Sequence, residues 1–314
     1  ALRALVNPGD EVILPAPYWV SYIELIRMVG GVPVVVEATE AEHFKITPEK
    51  LAAAITPKTK CMILNNPSNP TGMMYSRKEL EEIAKVCVEK DIYVISDEIY
   101  YRLAYDNEEF VSFAALGEDV KARTLLVNGV SKSYAMTGWR IGYVAAPANI
   151  AKVIGNYLGH CTGSPSSISQ AAAAEALSAS QETVEKMREA FEERRNYMVN
   201  RMNQIEGVSC IKPEGAFYVF PSVKSTGLTS MEFCERLIRS HRVAVVPGDA
   251  FPTATPPSTS SRPWSAWKRS SRSCKWAGKR CGSPGAAATP RRSCCARWRR
   301  PSPPWACGRR FAPA

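Results

Sequence analysis

The sequence predicts an α/β fold: a three-layer α/β/α body with a mostly parallel sheet, followed by a truncated α+β lobe. Three observations carry this. Short apolar runs alternate with segments of helical periodicity through the first 158 residues, as in layered α/β structures. Several runs are rich in β-branched residues and lack regularly alternating polar positions, which suits strands covered on both faces. Turn residues such as Asn7-Pro8-Gly9-Asp10 punctuate the pattern.

The first six residues, Ala-Leu-Arg-Ala-Leu-Val, read as the end of a helix, and with no initiating Met or signal peptide the chain reads as a fragment. Strands are predicted at 11–14, 32–37, 61–65, 93–96, 124–128 and 142–146, with helices at 19–28, 48–54, 77–90 and 149–158 between them. Ser76 with Glu79 forms a capping box for the third helix. An alanine-rich stretch follows Ser166, and a charged helix at 181–204 reads as a connector. Short strands near 208–211 and 216–220 and a helix at 229–240 complete the second lobe. The expected division is a body over 1–181, a partial second lobe over 182–251 including the connecting helix, and a tail over 252–314.

The net charge of +10 suggests a nucleic-acid partner, but its distribution argues otherwise. Residues 252–314 hold 14 of the 40 Lys and Arg and none of the 30 Asp and Glu, which leaves residues 1–251 with 26 basic against 30 acidic residues, a net charge of −4. The same 63 residues contain no Leu, Ile, Val or Met, yet five of the seven Trp and ten of the 23 Pro. Without aliphatic side chains they cannot offset their conformational entropy, so a disordered basic tail is expected. A shifted reading frame near Phe251 is the favoured origin: one back-translation of residues 263–271 yields Ala-Val-Glu-Arg-Leu-Glu-Glu-Ile in the alternative frame, an amphipathic helical pattern. A genuine Arg-rich binding tail is the alternative.

Cys61, Cys87, Cys161, Cys210 and Cys234 are widely spaced and read as reduced, mostly buried thiols, with no metal-ligand spacing. The tail cysteines also lack zinc spacing. No apolar run approaches a membrane span, so a soluble, cytoplasmic protein is expected. His43, His160 and His241 are scattered and are assigned no catalytic role.

The chemistry concentrates in Gly-Val-Ser-Lys-Ser-Tyr-Ala-Met-Thr-Gly-Trp-Arg-Ile-Gly over residues 129–142. One lysine, Lys132, stands among small residues, with Arg140 eight positions on, an arrangement suited to a Schiff-base lysine beside a phosphate. Gly138 and Gly142 would let the backbone pass close to a ligand. Asn69-Pro70-Thr71-Gly72 follows the third strand and Asp97 ends the fourth, where open α/β sheets bind ligands. By themselves these are a turn and a helix N-cap.

Position by position, the 129–142 segment resembles the lysine-attachment pattern of the class I aminotransferases, which use pyridoxal 5'-phosphate. The likeness covers residues 1–251 and is greatest to the bacterial aspartate aminotransferase subgroup, through Pro17-Tyr18-Trp19-Val20-Ser21-Tyr22 and Ala135-Met136-Thr137-Gly138-Trp139-Arg140. It implies the fold-type-I transferase architecture and a set of roles. Lys132 would bind the cofactor and act as general acid and base; Asp97 would hold the ring-nitrogen proton; Tyr100 and Asn69 would bond the phenolic oxygen. Arg140 would bind the phosphate and Trp19 would stack on the ring, with Tyr18 as reserve. The implied reaction transfers an amino group between an amino acid and a 2-oxo acid, preferably aspartate and 2-oxoglutarate, with aromatic amino acids or prephenate as alternatives. A homodimer is implied, with no metal, nucleic acid or membrane partner.

The family's phosphate-cradling loop lies before the matched region, and its carboxylate-clamping arginine lies after Phe251. Substrate binding by this chain is therefore expected to suffer more than cofactor capture. Rival readings are a lyase or synthase on the same scaffold, a non-functional truncated product, or a nucleic-acid binder acting through the basic tail.

Overall fold

The computed structural model describes residues 1–251, and the expectations for 252–314 fall outside that range. Helix α1 (Leu2–Leu5) leads into β1 (Glu11–Ala16), α2 (Ser21–Met28), β2 (Val32–Glu37), α3 (Pro48–Ala54) and β3 (Thr59–Asn65). Then come α4 (Arg77–Glu89), β4 (Tyr93–Asp97), α5 (Glu118–Lys121), β5 (Thr124–Gly129) and β6 (Gly142–Ala145). Helices α6 (Ala148–Cys161), α7 (Ser167–Ser178), α8 (Glu182–Met202) and α9 (Ser230–His241) follow. The Ser76–Glu79 capping box closes on α4, and Thr229 with Glu232 makes another on α9.

The sheet order is β2-β1-β3-β4-β5-β6, with β6 antiparallel to β5 and every other pair parallel. Alternate residues of the central strands supply two cores, as the two-residue period of a strand requires. Ile13, Met62, Leu64 and Val94 pack with Leu51, Leu80 and Ile83 on one face. Val12, Leu14, Cys61, Ile63, Ile95 and Leu125 pack with Leu5, Ile26 and Ile150 on the other. Burial pushes the Cys61 and Cys87 thiols up to about 12, whereas Cys161, expected among mostly buried thiols, is exposed.

Beyond α8 the two short strands expected near 208–211 and 216–220 reduce to isolated bridges, Ser209 to Ser222 and Ala104 to Gly215. The reason is local: Ala216 sits at φ 56°, which breaks an extended run, and its N–H is taken by the Leu103 carbonyl at 2.9 Å. Arg195, whose side chain is 4% exposed, fastens this stretch. Its guanidinium donates to both Asp106 oxygens at 2.7 and 2.9 Å and to the Pro213 carbonyl at 2.7 Å, and it lies 4.7 Å from the centre of the Tyr105 ring. Among the described residues, no helix is long and apolar enough to cross a membrane, and no His, Cys, Asp and Glu group is placed to hold a metal.

Candidate active site

The strand order turns back between β1 and β3, the place where open α/β sheets leave a crevice at their carboxyl ends. Trp19 follows β1, Asn69 follows β3, Asp97 ends β4 and Lys132 follows β5, so one edge presents all four. Register makes the placement tight, with Asn65 beside Asp97 and Asp97 beside Val127.

Asp97 accepts the Tyr22 hydroxyl on Oδ2 at 2.6 Å and the Ile99 N–H on Oδ1 at 3.2 Å. Burial raises its carboxyl pKa, while those two hydrogen bonds pull it down. A half-buried carboxylate of this kind gains from a cationic partner. Its neighbour Glu98 is only 2% exposed and faces the protein, its Oε1 accepting from the Ser96 and Ser112 hydroxyls at 2.9 and 3.0 Å and the Phe113 N–H at 3.1 Å. Asp97, half-buried and on the wall of a cavity, is the carboxylate open to a ligand.

A cavity of about 490 Å³ opens against Asp97, with Trp19, Tyr22, Met28, Tyr157 and Leu158 on its walls. Trp19 is 39% exposed and meets Tyr22 edge to face at 5.3 Å, whereas Tyr18 is buried. Lys132 is not on this wall. It is half-buried, with Nζ 5.5 Å from the centre of the Phe217 ring, and forms no ion pair among the described residues. Phe217 in turn packs edge to face on Tyr100 at 5.3 Å, which links the lysine to the other site side chains.

Tyr100 and Asn69 converge on one atom. The Tyr100 and Tyr218 hydroxyls share a 2.6 Å hydrogen bond, and the Asn69 amide donates to the Tyr218 oxygen at 3.3 Å. Burial raises the pKa of both phenols. The Asn69-Pro70-Thr71-Gly72 turn has a second use: the Gly72 carbonyl accepts the N–H groups of Glu214 and Gly215 at 2.9 and 2.8 Å, and a Cβ on Gly72 would meet Pro213 at 2.6 Å. Its glycine thus admits the 213–218 segment.

Arg140 is exposed at φ 55°; its guanidinium donates to the Thr137 carbonyl at 2.9 Å and pairs with no carboxylate among the described residues. The fork is available to an anion, but the structure shows no contact from it to Lys132 or Asp97. Gly138 has open space around it, so close backbone approach does not explain that glycine. Gly129 is the crowded one: a Cβ there would meet the Ile141 carbonyl at 2.8 Å and the Gly142 Cα at 3.1 Å, where β5 pairs with β6. Gly129→Ala is expected to cost about 1–3 kcal/mol of stability, measured by urea unfolding.

Tyr22, Phe217 and Tyr218 are site residues that sequence reasoning did not single out. For Tyr22 the available signal was its place one helical turn after Trp19; for the other two it was an aromatic pair directly after Gly215-Ala216.

Known proteins resemble the chain over most of its length. The aspartate aminotransferase of Geobacillus stearothermophilus is 49% identical over 254 residues, spanning 79% of this chain and 65% of that protein. The aspartate/prephenate aminotransferase of Cereibacter sphaeroides is 46% identical over 262 residues, 80% of this chain and 66% of that one. Among solved structures, the aspartate aminotransferase of Rhizobium meliloti superposes with a TM-score of 0.78 at 41% identity, covering 81% of this chain and 66% of that chain. The Thermus thermophilus aspartate aminotransferase with maleate gives 0.76 at 42%, covering 80% and 65%. The chain thus spans just under two thirds of the length of these relatives. Residues 1–262 match the family model for aminotransferase class I and II, and by that match, with the sheet and its site edge agreeing, the chain belongs to this family.

Proposed function

We propose that this chain is the cofactor-carrying part of an aminotransferase that moves an amino group between an amino acid and a 2-oxo acid, with aspartate and 2-oxoglutarate as the preferred pair. The observation that carries the reading is the placement of Asp97, Asn69, Tyr100 and Lys132 at one end of the sheet, in a chain similar to proteins named aspartate aminotransferase. The division into a body over 1–181 and a partial lobe over 182–251 belongs to the same reading.

Class I aminotransferases use pyridoxal 5'-phosphate, and the donor set here suits it. Among the described residues Lys132 is an amine without an ionic partner, Asp97 is a half-buried acid on a cavity wall, and Arg140, bonded to the Thr137 carbonyl, pairs with no carboxylate. When bound, the cofactor supplies an aldehyde carbon that takes the amino group and a ring that draws electrons from the substrate Cα. Lys132 would hold the cofactor through Nζ and, once released, take the proton from the substrate Cα and return it. Asp97, steadied by Tyr22, would keep a proton on the ring nitrogen. Asn69 and Tyr100 would orient the phenolic oxygen, Trp19 would cover the ring face, and Arg140 would hold the phosphate.

The test is a reconstitution with pyridoxal phosphate followed by aspartate and 2-oxoglutarate. Formation of glutamate supports the reading; release of ammonia or pyruvate instead would assign a lyase. Asp97→Asn is expected to weaken cofactor binding about 10- to 100-fold, the range for losing a charged hydrogen bond, as followed by absorbance titration. A homodimer and a cytoplasmic location are part of the proposal on family resemblance, and light scattering checks the first.

A further inference from the structure

We infer that Tyr218 is a positioning residue that sets the Tyr100 hydroxyl and the Asn69 amide for one phenolic oxygen, and so couples the segment after α8 to cofactor binding. The inference rests on the cofactor reading above. Tyr218 is separated from Tyr100 by 118 positions and from Asn69 by 149, so neither contact follows from local chain geometry.

Its base is fixed. Glu214 and Gly215 are held by the Gly72 carbonyl, Ala216 by the Leu103 carbonyl, and Gly215 approaches Pro67 so closely that a Cβ there would meet the ring at 2.7 Å. From this base the Tyr218 ring packs edge to face on Tyr100 at 5.7 Å and brings its oxygen 2.6 Å from the Tyr100 oxygen. Asn69 is steadied separately, its backbone N–H donating to the Asn65 side chain at 2.7 Å.

The hydrogen inventory shows why this arrangement serves a ligand. An amide group carries two N–H donors, and Asn69 gives one to Tyr218, which leaves one. A phenol has one proton and two lone pairs; when Tyr218 donates to Tyr100, the Tyr100 proton is free for another acceptor. Two directed donors thus remain beyond Tyr218, suited to a single oxygen carrying negative charge. Donation from Tyr218 also polarises Tyr100 and makes it the stronger donor. The 2.6 Å bond is much shorter than the 3.3 Å one, so Tyr218 acts mainly through Tyr100.

The experiment compares the wild-type chain, Tyr218→Phe, Tyr100→Phe and the double variant. Each is titrated with pyridoxal phosphate by visible absorbance, and the absorbance of the loaded chains is then followed against pH. Tyr218→Phe is expected to weaken binding about fivefold, as for one lost hydrogen bond, and to move the absorbance midpoint to higher pH. The midpoint rises because a weaker donor leaves more negative charge on the phenolic oxygen, next to the carbon that bears the lysine nitrogen. In the Tyr100→Phe background the same change should have little further effect. Unchanged affinity and midpoint in Tyr218→Phe would overturn the inference, as would an equal loss in both backgrounds, and either result leaves the cofactor reading standing. A wild-type chain that takes no pyridoxal phosphate on Lys132 sinks both.

Discussion

Replacing Lys132 with alanine is expected to abolish covalent capture of pyridoxal phosphate and to lower amino transfer by about 10⁴, the upper end for a positioned acid–base group. The residue stands on the turn after β5, half-buried, over the Phe217 ring and without a carboxylate partner among the described residues. By contrast Lys45 pairs with Glu79 at 2.9 Å and Lys50 with Glu42 at 2.6 Å. Borohydride reduction followed by peptide mapping should place the adduct on Lys132 in the wild type and nowhere in the variant. An adduct on a different lysine, or a visible band that survives Lys132→Ala, would remove the basis of the functional proposal.

Arg195→Ala should cost about 3 kcal/mol of stability, because it removes a buried guanidinium with its hydrogen bonds to Asp106 and the Pro213 carbonyl and the cation over Tyr105. The lower end of the expected range applies because the Asp106 side chain is 39% exposed and keeps Lys212 at 2.8 Å. Urea unfolding measures the loss. The pair also predicts a pH dependence. Hydrogen bonds from Arg195, and then from Lys212, hold the Asp106 carboxyl at about 2, below the roughly 3.9 of an unfolded chain. Its contribution is present above the unfolded value and is lost as pH falls through the folded one. Wild-type stability should therefore drop between about pH 4 and pH 2, and the variant should lose less there. Since Arg195 also holds the Pro213 carbonyl, the same variant should loosen the segment that carries Phe217 and Tyr218.

The six strands of the sheet were legible because each is an apolar run bounded by turn residues, and the observed bounds differ from the expected ones by at most two residues. The α4 cap was legible because a serine and a glutamate three positions on satisfy each other locally. The 216–220 stretch was misread because its run of aromatic and β-branched residues resembles a strand, whereas the left-handed backbone at Ala216 is imposed by contacts with Leu103 and Tyr105 far away in sequence. Tyr22, noted only as part of the motif over residues 17–22, was given no role for a similar reason: its hydroxyl is one more buried helix polar group until Asp97, 75 positions away, is placed beside it.

By itself the amino-acid order determined the strand and helix sequence, the lysine and arginine spacing, and the acid at the end of β4. These depend on periodicity and on neighbours a few residues apart. Only the tertiary structure decided that Asp97 opens onto a cavity while Glu98 faces Ser96, Ser112 and Phe113, that Tyr22 meets Asp97, and that Tyr218 meets Tyr100 and Asn69. Those outcomes turn on which segments the fold brings together and on which side of the sheet edge a side chain falls. The Tyr22–Asp97 and Asn69–Tyr218 contacts join residues 75 and 149 positions apart, beyond the reach of any local pattern.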